Sequence, residues 1–322
     1  MAIQIKRREF LQAAAGFGIA SLLPGCGNNQ SGQTSQTAQT SQTPSSTVIP
    51  SRFIPRTNES LPVVGLGSTK AVLQIPGKGL AEMRSVIQAL LDNGGKVIDT
   101  SFRVEEIDRP FGQILQDERW KDKLFVATKI NARGKQAGIE QMQQTERLFN
   151  RRPADLIQIE SLLDADNHLD SLREWKANGG TRYIGITASG SGDFGPIEAY
   201  MKNAPLDFIQ VNYSLPESEA EQRVLPAARD LGIAVLIRSP FMNGEWFTMT
   251  SGKELPGWAA EIECTSWAQI GLKYILANPA VTCVLTETTN PDHLIENMHS
   301  SLGKIPDDEL LRRMKSDVLS MI

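Results

Sequence analysis

The amino-acid sequence predicts an α/β fold of the (β/α)8 TIM-barrel type, and three observations carry that expectation. Eight short β-rich runs recur along the chain, most of them continuously apolar, as strands buried on both faces of a parallel sheet must be. Helical patterns lie between them, at 80–93, 138–150, 169–178 and 217–231. The runs begin about 25 to 34 residues apart, save for a longer interval of about 48 before the last, which is the period of a βα unit. A doubly wound open sheet is the competing arrangement. It is disfavoured because no Gly-x-Gly-x-x-Gly follows the first run.

The chain opens with a segment of another kind. Lys6-Arg7-Arg8-Glu9-Phe10-Leu11 precedes about 11 mildly apolar residues, too few to span a bilayer stably and typical of an export signal. The arginine pair resembles a twin-arginine signal, which implies export of an already folded protein through that machinery. Leu23-Pro24-Gly25-Cys26 resembles a bacterial lipobox, so residues 1–25 are expected to be cleaved and Cys26 lipidated. Acyl chains contributing about 0.8 kcal/mol per buried methylene would anchor the protein to a membrane, facing the periplasm or the cell exterior.

Residues 26–50 read as a disordered tether. From 28 to 47, 17 of 20 residues are Gln, Ser, Thr or Asn, with no charge, and such a segment buries too little apolar surface to offset its ordering entropy. Its root-mean-square span is about 25 Å. The folded domain is therefore expected over 51–322.

Within that domain the strands are expected at 63–67, 97–100, 124–129, 156–160, 183–187, 208–211, 234–237 and 282–285. The stretch 246–262 reads as a loop over the barrel mouth, in which Trp246 and Trp258 either line a pocket or pack. Cys264 and Cys283 read as buried thiols, with a disulfide between them open as an alternative. The composition excludes other classes. Three cysteines make neither a disulfide framework nor a four-cysteine zinc site, and no metal site is expected. A net charge of −4 gives no support to a nucleic-acid partner.

In such barrels the chemistry sits where strands end and βα loops begin. Those positions hold Gly67 and Ser68, Asp99, Lys129, Glu160, Thr187, Asn212, Arg238 and Ser239, and Glu287. Asp99, Lys129 and Glu160 end three successive strands and should converge. Carboxylate, ammonium and carboxylate in one pocket suit proton transfer, and equally suit a structural ion-pair network.

At these residues a resemblance becomes specific. Residues 56–67, Val97-Ile98-Asp99-Thr100-Ser101, Val126-Ala127-Thr128-Lys129, Gly179-Gly180-Thr181-Arg182-Tyr183-Ile184-Gly185-Ile186-Thr187, Phe208-Ile209-Gln210-Val211-Asn212-Tyr213-Ser214 and the segment from Thr288 through Glu296-Asn297 resemble successive segments of the aldo/keto reductases. The resemblance implies carbonyl reduction by hydride transfer from NADP or NAD, with an Asp, Tyr, Lys, His tetrad. Asp99 and Lys129 match. Val104 stands at the tyrosine position, the first tyrosine of the chain being Tyr183, and Glu160 stands at the histidine position. Steroid 5β-reductases of the family also carry Glu there and reduce a carbon–carbon double bond, though they keep the tyrosine. A protonated Glu160 is one way round the missing phenol, and the loop residues Arg103, Glu105 and Glu106 are others.

The same resemblance implies a cofactor site of Gly67, Ser68, Thr187, Gln210, Arg238, Ser239, Glu287, Thr288, His293 and Asn297. Gln210 falls where the carboxamide is held, Ser239 where a phosphate is, and Asn297 at the adenine end. Glu287 and His293 stand where many members hold the 2′-phosphate, which argues for NAD over the family's NADP, or for weak binding. Two functions stay open: an exported oxidoreductase acting on a small carbonyl or activated double bond, and a non-catalytic ligand-binding lipoprotein.

Overall fold

A computed structural model of the chain describes residues 48–188 and 190–321. The expected signal, the lipidation at Cys26 and nearly all of the tether lie outside the described residues. Ordered structure already begins inside the segment expected as tether: Ile49 is buried, and the Pro50 carbonyl accepts the Val63 amide at 2.9 Å.

A short antiparallel hairpin, β1 (Ser51–Phe53) and β2 (Ser60–Pro62), comes first. Eight parallel strands follow and close on themselves: β3 (Val64–Gly67), β4 (Val97–Asp99), β5 (Phe125–Ile130), β6 (Ala154–Ile159), β7 (Thr181–Thr187), β8 (Phe208–Asn212), β9 (Ala234–Arg238) and β10 (Cys283–Glu287). Closure runs through β10 pairing with β3, Glu287 opposite Gly67, which overturns the doubly wound alternative.

The alternation of side chains along these strands divides the molecule. Val64, Leu66, Ile98, Val126, Ile157, Ile159, Ile184, Ile186, Ile209, Val211, Val235 and Ile237 point outward and pack under the helices. Val97, Phe125, Leu156, Tyr183, Phe208, Leu236 and Cys283 point inward with Ile54 and Leu61 of the hairpin, forming a separate inner core. The hairpin thus plugs the floor. Phe125, Tyr183 and Phe208 pack there with ring centroids 5.5–6.1 Å apart. Gly185 makes room for them: a Cβ on it would lie 2.7 Å from the Phe208 carbonyl oxygen.

The helices are α1 (Thr69–Leu73), α2 (Ile75–Lys78), α3 (Leu80–Asp92), α4 (Glu105–Leu115), α5 (Lys135–Phe149), α6 (Ala165–Ala177), α7 (Phe194–Asn203), α8 (Val224–Leu231), α9 (Glu245–Met249), α10 (Trp267–Leu276), α11 (Pro291–His299) and α12 (Asp308–Met321). Sequence pattern locates α3, α5 and α6 to within a few residues. It hides α4, where Pro110 interrupts the helical signal while Glu105, Glu106 and Asp108 complement the first-turn dipole. The helix expected over 217–231 is half its length, because Arg223 (φ −133°, ψ −80°) breaks it from a 3-10 turn at Glu219–Gln222.

Within the expected 246–262 loop, α9 and a 3-10 turn at Gly257–Ile262 form instead. Trp246 and Trp258 pack: both are buried, and their indole N–H groups donate to the Trp267 carbonyl and to Asp317. Cys264 and Cys283 are buried free thiols, so the disulfide alternative falls. Burial pushes the Cys264 thiol up to about 11. No helix among the described residues is long and apolar enough to cross a membrane.

Candidate active site at the barrel mouth

At the C-terminal ends of the strands the inward-facing residues change from apolar to polar. Two steps above Val97 stands Asp99, two above Ala127 stands Lys129, and above Leu156 and Phe208 stand Gln158 and Gln210. They lie around a cavity of about 530 Å³ whose wall includes Gly67, Asp99, Lys129, Glu160, Gln210, Arg238, Ser239 and Glu287. Eight of the expected site residues therefore meet in one place.

Lys129 and Asp99 form the centre. The Lys129 ammonium, with a side chain 6% exposed, donates to Asp99 Oδ2 at 2.5 Å and to the Thr100 carbonyl at 2.9 Å. Gln158 donates to the other Asp99 oxygen at 3.2 Å. Glu160 lies beyond this pair, in a 3-10 turn (Glu160–Leu162), and accepts a long hydrogen bond from Ser101 Oγ at 3.5 Å. Among the described residues it makes no ion pair. Its carboxyl is thus the uncommitted acid of the mouth.

The tyrosine position lies off the cavity wall. Val104 caps the start of α4 with 58% of its surface exposed and does not line the cavity. The four tyrosines of the chain donate elsewhere: Tyr183 to Glu59, Tyr200 to Asp166, Tyr213 and Tyr274 to Glu221. Of the loop candidates only Arg103 reaches the mouth. Its Nη1 donates to Thr100 Oγ1 and to the Ser101 carbonyl, and lies 3.7 Å from Asp108. Its Nη2 is buried without a partner. Burial lowers the Arg103 pKa, against the pull of Asp108, Asp99 and Glu160, and burial raises that of Asp108.

Among the expected cofactor contacts, two are engaged elsewhere. Ser68 is buried and donates to the Asp99 carbonyl, and Thr187 accepts the Ser161 amide at 2.8 Å, so neither lines a cavity. Gln210 behaves otherwise: its Nε2 is a buried donor with no partner, at the cavity wall. Among the described residues Arg238 has only a 3.4 Å hydrogen bond to the Ala188 carbonyl, and Ser239 one of 3.4 Å to Asn243. Glu287 is not a free loop charge. It accepts the Lys70 amide at 2.8 Å and lies 3.5 Å from the Lys70 ammonium.

Thr288, His293 and Asn297 line a second cavity of about 610 Å³, whose wall shares Phe241, Phe247 and Glu287 with the first. Sequence reading missed Phe241 and Phe247, the latter a half-exposed aromatic. Strain marks the same rim. Of the nine non-glycine residues with positive φ among the described residues, six sit in two loops: Ser161, Leu162 and Asp164 after β6, and Ser239, Met242 and Asn243 after β9. Such conformations each cost roughly 1–3 kcal/mol and concentrate at functional sites. Among the described residues no cluster could hold a metal ion.

Comparison with known proteins fits this geometry. A sequence model described as the Aldo/keto reductase family matches residues 65–315. The "NADH-specific methylglyoxal reductase" of Escherichia coli (strain K12) is 26% identical over 175 residues, covering 46% of this chain. The chain spans about half the length of that curated relative, 52%. Aldo-keto reductase AKR11C1 from Bacillus halodurans superposes in its holo form with a TM-score of 0.68 at 19% identity, over 84% of this chain and 96% of that one. Its apo form gives 0.66 at 20% identity and the same coverage. These structures share the fold.

Proposed function

This chain belongs to the aldo/keto reductase family of NAD(P)-dependent oxidoreductases, and on that premise we propose that it is an exported, lipid-anchored reductase in which Glu160 replaces the missing phenol as proton donor. The observation that carries this reading is the convergence of Asp99, Lys129, Glu160 and Gln210 on one cavity. A nicotinamide fits the residues present there, because the orphaned Gln210 amide is a buried donor that a carboxamide oxygen would satisfy. When bound, the reduced ring supplies a hydride to the substrate carbon.

The chain's own residues do the rest. Glu160 acts as the general acid, delivering a proton to the oxygen on which negative charge develops. General acid catalysis of this kind contributes about 10²- to 10⁴-fold. Lys129, held between Asp99 and the Thr100 carbonyl, presents a fixed positive charge to the same oxygen. Ser239 and Arg238 line the route toward the second cavity, where Thr288, His293 and Asn297 receive the far end of the cofactor. Glu287 opposes a 2′-phosphate, partly offset by Lys70, which favours NAD; the relative described as NADH-specific is consistent with that.

The substrate on this reading is a small carbonyl or an activated double bond. Export follows from the Lys6-Arg7-Arg8 segment and anchoring from Cys26, and twin-arginine export of a folded barrel lets one cofactor travel out already bound. Val104, exposed and absent from the cavity wall, favours one other reading, a non-catalytic ligand-binding lipoprotein. Acid release of nucleotide from the purified full chain, followed by calorimetric titration with NADH and NADPH, separates them. Nucleotide release or binding is the expected result. Its absence in both assays sinks the reductase and the carried cofactor together.

A further inference from the structure

The charges around the mouth do not balance in pairs. Lys70, Arg103, Lys129 and Arg238 face Asp99, Glu160 and Glu287 across one cavity. Lys129 is matched to Asp99 and Lys70 to Glu287. On the cavity wall itself that leaves two guanidinium groups and one carboxyl, Arg103 being paired from outside the wall by Asp108 at 3.7 Å. Asp108, the partner of Arg103, is buried behind the wall and does not line the cavity. Arg238 makes no ion pair among the described residues.

Arg103 is unlike a surface arginine. Its side chain is 9% exposed, and Nη1 is fixed by Thr100 and the Ser101 carbonyl. Because guanidinium is planar, fixing Nη1 also fixes the direction of Nη2, which is buried and has no acceptor. A buried donor held in place without a partner is a recognition element awaiting one. Arg238, on one long bond, is the looser arm opposite.

We propose that the substrate is an oxo acid, whose carboxylate is held by Arg103 and Arg238 while its carbonyl lies toward Glu160. The inference rests on the reductase reading and names its substrate class. A planar carboxylate accepts from guanidinium groups in the fork geometry that Arg103 preorganises. It also brings a negative charge to a wall that carries four cationic side chains against three carboxyls. The step balances: the carbonyl π bond breaks, carbon gains the hydride of a reduced nicotinamide, oxygen gains the Glu160 proton, and the carboxylate is unchanged. A 2-oxo acid becomes a 2-hydroxy acid as the nicotinamide is oxidised.

Two measurements on the full chain test this. Oxamate, a non-reducible analogue of a 2-oxo acid, is titrated calorimetrically with and without NADH. Binding is expected, weakened at least about tenfold by Arg103→Met and not fully restored by Arg103→Lys, whose ammonium lacks the fork. Where Arg103→Met fails to fold because Asp108 loses its counter-charge, Arg103→Met with Asp108→Asn removes the stranded carboxylate and keeps the comparison open. In the second measurement, NADH oxidation is followed with 2-oxobutanoate and with uncharged 2,3-butanedione. The oxo acid is expected to be preferred at least about tenfold in kcat/KM, with the ratio near one in Arg103→Met.

Oxamate binding through Arg103 without reduction of either compound overturns the reductase reading and leaves the anion site standing. Reduction of the dione without any oxamate binding overturns the oxo acid and leaves the reductase standing. Inorganic phosphate displacing oxamate at lower concentration than oxamate itself requires overturns the carboxylate in favour of a phosphate group.

Discussion

The two ends of the barrel use the same residue types to opposite purposes. At the floor the charges of Glu59, Lys96, Asp155, Arg182 and Arg52 are answered. Glu59 takes hydrogen bonds from Arg182 and the Tyr183 hydroxyl and lies 3.6 Å from Lys96, while Asp155 holds the other arm of Arg182 at 2.7 Å. Arg52 gives its guanidinium to the carbonyls of Leu276, Asn278 and Val281. None of these groups is left without a partner. At the mouth, Arg103, Gln158, Gln210 and Asn212 each keep a buried polar atom unpaired. An unmade hydrogen bond on a buried group costs roughly 1–3 kcal/mol, so a fold that satisfies one rim and starves the other has kept the second for something else. The strained loops after β6 and β9 lie at that same starved rim.

The contrast breaks first at Glu160. Glu160→Gln is expected to lower NADH-dependent turnover by about 10²- to 10⁴-fold while the melting temperature moves by less than about 2 °C. Turnover equal to the parent would remove Glu160 from the chemistry.

Phe208→Ala is the counterpart at the floor. Deleting the ring from the Phe125, Tyr183 and Phe208 cluster is expected to cost about 3–5 kcal/mol in urea unfolding, with the KM of the folded enzyme unchanged. A change in KM alone would show that floor and mouth are coupled. Arg52→Met should cost less, about 2 kcal/mol, since the three carbonyls it abandons lie in a half-buried region that water can reach. Stability unchanged in urea would mean that the hairpin plug is held by its apolar residues alone.

Val104→Tyr sharpens the comparison with the smallest effect. The side chain at 104 is exposed and does not line the cavity, so a phenol there is expected to change turnover by less than about threefold. A large gain in steady-state rate would show that the mouth lacks only that group.

Much of this was legible from residue order alone. The eight strands were, because each is an apolar run of the length a doubly covered strand demands. Asp99, Lys129 and Glu160 were, because a strand end fixes which residue reaches the rim, while Gln210, inside its strand, came only from the family resemblance. The direction of a hydroxyl is not set that way, so Ser68 and Thr187 looked like ligand contacts while their local hydrogen bonds hold them elsewhere. Arg103 was recognisable as a loop cation, but its unpaired nitrogen exists only through Thr100, the Ser101 carbonyl and the buried Asp108 acting together. The helix α4 was concealed by Pro110, and Phe241 and Phe247 by their place in a segment with no periodicity.

The hairpin plug has a kinetic consequence. With Ile54 and Leu61 packed into the inner core, the barrel is closed at its floor. Any molecule seated against Gln210 must enter before one that stops at the rim, and must leave after it. A two-ligand reaction in such a well runs in compulsory order, which product-inhibition patterns would reveal as competition at one step only. Random-order patterns would require a second exit that these walls do not offer.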